Sequence, residues 1–233
     1  MQYKVDLKQR MRGHGLKVCK LEDGRYKPKT KKEMFLELAE IEGGSLEGRE
    51  IKELLDASYD NKIEQAGDFI LDKNISSKTS KVYTNPETGQ ITVLHQGTQG
   101  VADWANNLAF AVGGKKLYKK TGRYKEAKRV QDRASAKYGN ENMTTLGHSQ
   151  GGLQAEMLGR RGNETITVNK ATRPFSTKRK ENQYDIRTSK DIVSALNPFE
   201  HGSKLTFKKK GLNPLAQHSY RFTGRLGTIG KRR

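Results

Sequence analysis

Cysteine is nearly absent from this 233-residue chain. Cys19 stands alone, so no internal disulfide can staple the fold and no clustered-cysteine metal site can form. Long apolar runs are missing too. Mean hydropathy is −0.90, and no stretch approaches the roughly 20 apolar residues of a membrane-spanning helix. The first residues carry positive charge with no apolar stretch behind them, which predicts no secretory leader. Hydrophobic residues make up 33% and aromatic residues 7% of the chain, so the expected core is lean. Nothing in the sequence calls for a metal or a cofactor, and none is expected.

Acidic residues are scarce relative to basic ones. Against 45 Lys and Arg stand 26 Asp and Glu, a formal charge of +19. Such an excess favours contact with polyanions, whether nucleic acid, anionic lipid headgroups or an acidic partner surface. The basic residues are spread along the chain, with clusters at Lys178-Arg179-Lys180, Lys208-Lys209-Lys210 and Lys231-Arg232-Arg233. Zinc-finger spacing, aromatic RNA-binding motifs and heptads are all lacking, so no nucleic-acid module accompanies the charge.

Periodicity through the rest of the chain alternates between strand and helix. A short strand is expected around Leu16–Leu21, and Thr30 with Glu33 reads as a capping box opening a helix that Gly43-Gly44 ends. In Glu47–Tyr59, Ile51, Leu54, Leu55 and Ser58 recur at helical spacing with charges opposite. Phe69–Leu71, Lys81–Tyr83 and Ile91–His95 read as strands, with turn chemistry at Asn85–Gly89. Trp104, Leu108 and Ala111 fall on one helical face, and Lys115–Arg123 reads as a basic loop. Tyr124–Tyr138 is a helix stopped by Gly139. Met143–Leu146, Thr165–Asn169, Tyr184–Thr188 and Leu205–Phe207 read as further strands. This alternation predicts an α/β fold with a mostly parallel central sheet flanked by helices. Three segments are expected: a basic arm or appendage over 1–32, one domain over 33–225 and a basic tail over 226–233.

Within that pattern, Gly147-His148-Ser149-Gln150-Gly151 is a G-x-S-x-G between a β-prone and a helix-prone run. This is the layout of a nucleophile elbow, in which a strand turns sharply into a helix and exposes a serine at the apex. Small residues at Gly147 and Gly151 let the crowded backbone turn there. A serine hydroxyl is a weak nucleophile at neutral pH and needs a base oriented by a carboxylate. In the chain order Ser, acid, His, the base candidates are His201 and His218, and His218 is preferred for its place near the C-terminus. Asp191, directly after the Tyr184–Thr188 strand, is the preferred acid over Asp185 and Glu200. The oxyanion of an acyl transfer needs N–H donors: Gln150, next after the nucleophile, and the Gly97-Thr98 loop after Ile91–His95.

These motifs together resemble the class 3 (fungal-type) lipases, a branch of the α/β-hydrolase fold. The segments that carry the resemblance are Leu94-His95-Gln96-Gly97-Thr98, Asp103-Trp104, the elbow through Gly152, Asp191-Ile192-Val193, and His218 with Tyr220 close behind. They span about Leu54 to Tyr220. The resemblance implies an α/β-hydrolase fold, a triad of Ser149, Asp191 and His218, and an oxyanion hole of Thr98 and Gln150. Two departures bear on how the oxyanion loop is held: Gln96 stands where the family has arginine, and Gln150 where it has leucine. Phe110–Tyr118, in the lid's place, is short and mildly amphipathic, which argues against strong activation at a triglyceride surface. The basic, leaderless form is similar to lipase-like proteins of large DNA viruses, which implies a place in the host cytoplasm or with the virion.

The leading expectation is therefore a serine ester hydrolase acting on lipid or phospholipid esters, with its charge favouring anionic membrane surfaces. The alternative is an inactive lipase-like scaffold whose basic surface binds nucleic acid or a virion component.

Overall fold

A computed structural model describes residues 18–20, 26–28, 46–98, 118–159, 164–171, 182–189, 191, 203–207 and 214–229. The helices expected after Thr30 and around Trp104, the lid segment before Tyr118, His201, Glu200 and the three basic clusters lie outside these residues. β1 (Val18–Lys20) and β2 (Tyr26–Pro28) form an antiparallel pair, with Cys19 opposite Lys27.

The body is built on one eight-stranded sheet: β4 (Gln65–Ala66), β5 (Phe69–Leu71), β6 (Ser80–Thr84), β7 (Ile91–His95), β8 (Met143–His148), β9 (Glu164–Val168), β10 (Gln183–Thr188) and β11 (Ser203–Phe207). They lie side by side in chain order. β4 to β7 are antiparallel, whereas β7 to β11 run parallel. The β6–β7 turn forms where its residues dictate. Asn85 Oδ1 accepts the N–H groups of Glu87 and Thr88 at 3.0 and 3.2 Å, an Asx-type turn, and Gly89 takes φ 68°.

Side chains alternate across the strands, so each face collects its own core. Tyr83, Leu94, Leu146, Ile166 and Ile186 face one side, packed on Ile51, Leu54 and Leu55 of α1 (Gly48–Tyr59). Ser58 completes that buried stripe, as the helical spacing requires. A 2.6 Å bond from the Glu47 N–H to Glu50 Oε2 caps the helix. On the opposite face, Val82, Val93 and Met143 pack on Val130 and Ala134 of α2 (Gly122–Tyr138). α3 (Gln150–Leu158) adds Leu153 and Leu158 beside Tyr124 and Ala127. No helix among the described residues is long and apolar enough to cross a membrane.

Two expectations need correction. Arg123 is helical, because Thr121 caps α2 by accepting the Tyr124 N–H at 3.2 Å and so starts it at Gly122. The segment read as a basic tail from 226 onward begins as core. α4 (Pro214–His218) and a 3₁₀ turn (Arg221–Arg225) lead into β12 (Thr228–Ile229), which pairs with β3 (Leu46–Glu47). Leu226 and Ile229 are buried with Phe222 against α1. Two apolar residues among glycines in a short segment make no readable periodicity, so the sequence hid this closure.

Candidate active site

The carboxyl ends of the parallel strands gather at one edge of the sheet, which is where α/β folds place their chemistry. Strand register sets this up: His95 at the end of β7 lies opposite Gly147, and His148 at the end of β8 lies opposite Val168. Ser149 sits between β8 and α3 at φ 56°, ψ −123°. That conformation costs a non-glycine residue about 1–3 kcal/mol and persists only where its surroundings impose it. Two bonds do so here. The Ser149 N–H donates to the Val168 carbonyl at 3.0 Å, and the Ser149 carbonyl accepts from Ala171 at 2.9 Å.

Crowding explains the glycines of the motif. A Cβ on Gly147 would stand 2.2 Å from the Gly151 carbonyl oxygen, and one on Gly151 would stand 1.9 Å from that of His95. The serine is therefore held on a turn that only this pattern can make. Gln150 opens α3, so its N–H is one of the helix's first four, which have no carbonyl of their own helix to bond.

The structure brings Asp191 and His218 together: His218 Nδ1 lies 2.8 Å from Asp191 Oδ1, with the carboxylate fully buried. Since a carboxylate only accepts, Nδ1 carries the proton and Nε2 is left as the basic nitrogen. Asp185, the alternative acid, is committed elsewhere. It accepts from Lys170 at 2.8 Å, Thr167 at 2.7 Å and Gln183 at 2.9 Å inside the sheet. The Thr98 hydroxyl donates to Gln150 Oε1 at 3.0 Å, so the two residues expected to flank the oxyanion are joined directly. A glutamine side chain can do this and the leucine of the family pattern cannot.

Several residues missed in the sequence hold the His218 segment in place. The carbonyls of residues 217 to 219 are all bonded by side chains of other elements. Asn169 Nδ2 donates to Gln217 O at 3.1 Å and to Ser219 O at 3.3 Å, and the Thr188 hydroxyl donates to Gln217 O at 2.5 Å. His148 Nε2 lies 2.9 Å from His218 O. A carbonyl cannot donate, so His148 is protonated at Nε2 and its Nδ1 accepts from the Tyr59 hydroxyl at 2.7 Å. The same Tyr59 oxygen takes the Gly97 N–H at 3.1 Å. Burial first, then the nearby His218, pushes His148 down to about 3, so it stays neutral. The only trace in the sequence was Asn169 at the end of a β-prone run. Nothing in the order of residues tied Tyr59 to the elbow.

A second serine–histidine pair lies deeper. Ser80 Oγ is 2.9 Å from His95 Nδ1, while Nε2 of the same ring faces Gln131 Oε1 at 3.3 Å. Both Ser80 and His95 are wholly buried, and no carboxylate among the described residues orients the ring. This pair satisfies polar groups in the core.

An eight-stranded sheet with an antiparallel start and a parallel remainder, and a strained serine between its central strand and the next helix, define the α/β-hydrolase fold. Comparison with solved structures finds likenesses at low identity. A triacylglycerol lipase from Penicillium expansum aligns with a TM-score of 0.45 and 15% identity, over 68% of this chain and 77% of that one. The Rhizomucor miehei lipase–propeptide complex gives 0.46 and 15%, over 83% and 74%. Lip2 lipase of Yarrowia lipolytica gives 0.39 and 12%, over 57% and 64%. No known family's sequence pattern and no curated protein matches the chain.

Proposed function

We propose that the chain is a serine carboxylic-ester hydrolase of the class 3 lipase type. The observation that carries this reading is the strained apex serine on the same strand edge as a histidine bonded to a buried aspartate. In the proposed cycle, Ser149 Oγ attacks the ester carbonyl while His218 Nε2 takes its proton. Asp191 stabilises the imidazolium that forms. The N–H groups of Gln150 and Thr98 receive the oxyanion, a contribution worth about 10²–10³ in rate per donor. His218 then returns the proton to the departing alcohol, and water releases the acid by the same route.

A fluorophosphonate probe tests the assignment. Wild type should be labelled at Ser149 and hydrolyse short p-nitrophenyl esters, while Ser149→Ala should do neither. A folded wild type that resists the probe would refute the enzyme reading.

Lipid or phospholipid esters are the proposed substrates, with an anionic membrane as the working surface. The exposed face of α2 and the turn before it supports this, presenting Lys119, Lys120, Lys125, Lys128, Arg129 and Arg133. Each cation near an anionic bilayer adds about 1 kcal/mol of attraction. Binding to phosphatidylserine-containing vesicles should exceed binding to neutral ones and weaken with salt. The same cations support a second reading, an inactive scaffold that binds nucleic acid. Tight, salt-steep binding to DNA or RNA by a chain that takes no probe would favour it.

A further inference from the structure

Arg123 performs no step in the cycle above, yet its guanidinium bonds directly to the loop that carries the proposed oxyanion donor. It stands in the first turn of α2, at the end of the helix where the backbone dipole disfavours a cation, and that turn contains no acidic residue. Its side chain is half-buried. Among the described residues it makes no ion pair with a carboxylate. Instead, Nη2 donates to the carbonyls of both Gln96 and Gly97, the latter at 2.9 Å. A guanidinium taken out of water and spent on two loop carbonyls contributes little to helix stability. It does fix where those carbonyls point.

We propose that Arg123 is a positioning residue for the oxyanion hole, setting the direction and donor strength of the Thr98 N–H. The inference rests on the ester-hydrolase reading. The Gly97 carbonyl and the Thr98 N–H are opposite ends of one planar trans peptide, so binding the carbonyl on the Arg123 side turns the N–H to the other. A charged donor on the carbonyl also polarises that peptide and makes its N–H a stronger donor. The neighbouring peptide is held at both ends, by Arg123 at the Gln96 carbonyl and by Tyr59 at the Gly97 N–H, the latter at 3.1 Å. Loop and nucleophile touch: a Cβ on Gly97 would lie 3.0 Å from Ser149 Cβ and 2.9 Å from the His148 carbonyl oxygen. A small rotation of this loop would therefore move the donor relative to the reacting carbon.

Two variants separate positioning from folding. Arg123→Lys keeps a cation but lacks the planar fork that can serve two carbonyls, and Arg123→Ala removes the cation. Fluorophosphonate labelling rate, kcat and KM on a p-nitrophenyl ester, and thermal midpoint are measured for each. Labelling and kcat should fall about 10–10²-fold at little-changed KM, with Arg123→Lys melting near wild type. Millimolar guanidinium should accelerate Arg123→Ala and leave wild type unaltered. An Arg123→Lys chain as fast as wild type would overturn the proposal, as would a loss in Arg123→Ala that tracks unfolded protein and ignores guanidinium. Wild type that takes no probe would sink the hydrolase reading and this one with it. A labelled wild type matched by Arg123→Lys sinks this one alone.

Discussion

Replacing Tyr59 with phenylalanine removes one oxygen from a place where two buried groups depend on it. The Gly97 N–H donates to that oxygen at 3.1 Å, and the Tyr59 hydroxyl donates to His148 Nδ1 at 2.7 Å. The ring itself stays, stacked on Tyr220 at 5.5 Å with 7° between planes, so little apolar contact is lost. Each orphaned buried group costs about 1–3 kcal/mol, giving roughly 2–6 kcal/mol for the pair. In a chain of this length a kilocalorie moves the melting point by about 2–4 °C, so the midpoint should fall by roughly 4–24 °C. Thermal and urea unfolding of wild type and Tyr59→Phe at neutral pH measure this. Tyr83→Phe is the control. Its hydroxyl makes a single bond, 3.0 Å to the carbonyl of the partly exposed Ile63, which water can replace, so it should cost far less. A double-mutant cycle of Tyr59→Phe with His148→Asn should show coupling above about 0.5 kcal/mol, as expected for residues in one network. Equal stability of Tyr59→Phe and wild type, or simple additivity in the cycle, would refute the reasoning.

Acid should destabilise the protein through its two buried histidines. Burial, as the largest cause, lowers His95 to about 4 and His148 to about 3, whereas both titrate near 6.5 once unfolded. The unfolded chain thus binds protons that the folded one does not. Stability is fully present above about pH 6.5 and falls as pH drops towards 4 and then 3, by up to about 1.4 kcal/mol per histidine per pH unit. Urea midpoints from pH 7 to 4 should show this, with a shallower slope in His95→Asn; an unchanged slope would contradict it. Gly151→Ala should not yield soluble folded protein, since its methyl would lie 1.9 Å from the His95 carbonyl oxygen; native circular dichroism with full esterase activity would count against the elbow geometry. Lys170→Met leaves Glu156 and Asp185, which Lys170 meets at 2.6 and 2.8 Å, as two carboxylates facing one another in the interior. That should cost about 3–5 kcal/mol by urea unfolding, and Glu156→Gln with Asp185→Asn added should recover most of it.

The elements were legible where periodicity is strong and the ends are marked. α1 showed its buried stripe at Ile51, Leu54, Leu55 and Ser58, and the Asn85–Gly89 turn announced the β6–β7 hairpin. The candidate site residues Ser149, Asp191 and His218 stood out because hydrolase parts follow a fixed chain order, and the structure puts two of them, Asp191 and His218, in contact. Their supports were not visible. Tyr59, Arg123 and Asn169 act through backbone atoms of residues far away in sequence. Such bonds depend on strand register and loop path, which no local pattern encodes. Arg123 was hidden further by its setting, one basic residue among several in a stretch read as loop.

The pairing of β12 with β3 has a consequence for the order of events in folding. Leu46 meets Ile229 and Glu47 meets Thr228, a contact that closes a loop of roughly 180 residues, and such closures come late because their entropy must be met first. The Gly48 N–H bonds the Gly227 carbonyl at 3.1 Å, and Phe222 packs on the same core as α1. α1 therefore lacks part of its covering until residues 222–229 have emerged and docked. Tyr59, at the end of that helix, reaches both Gly97 and the His148 ring through its hydroxyl. On a growing chain, the edge that carries the candidate site would be among the last parts of this fold to set.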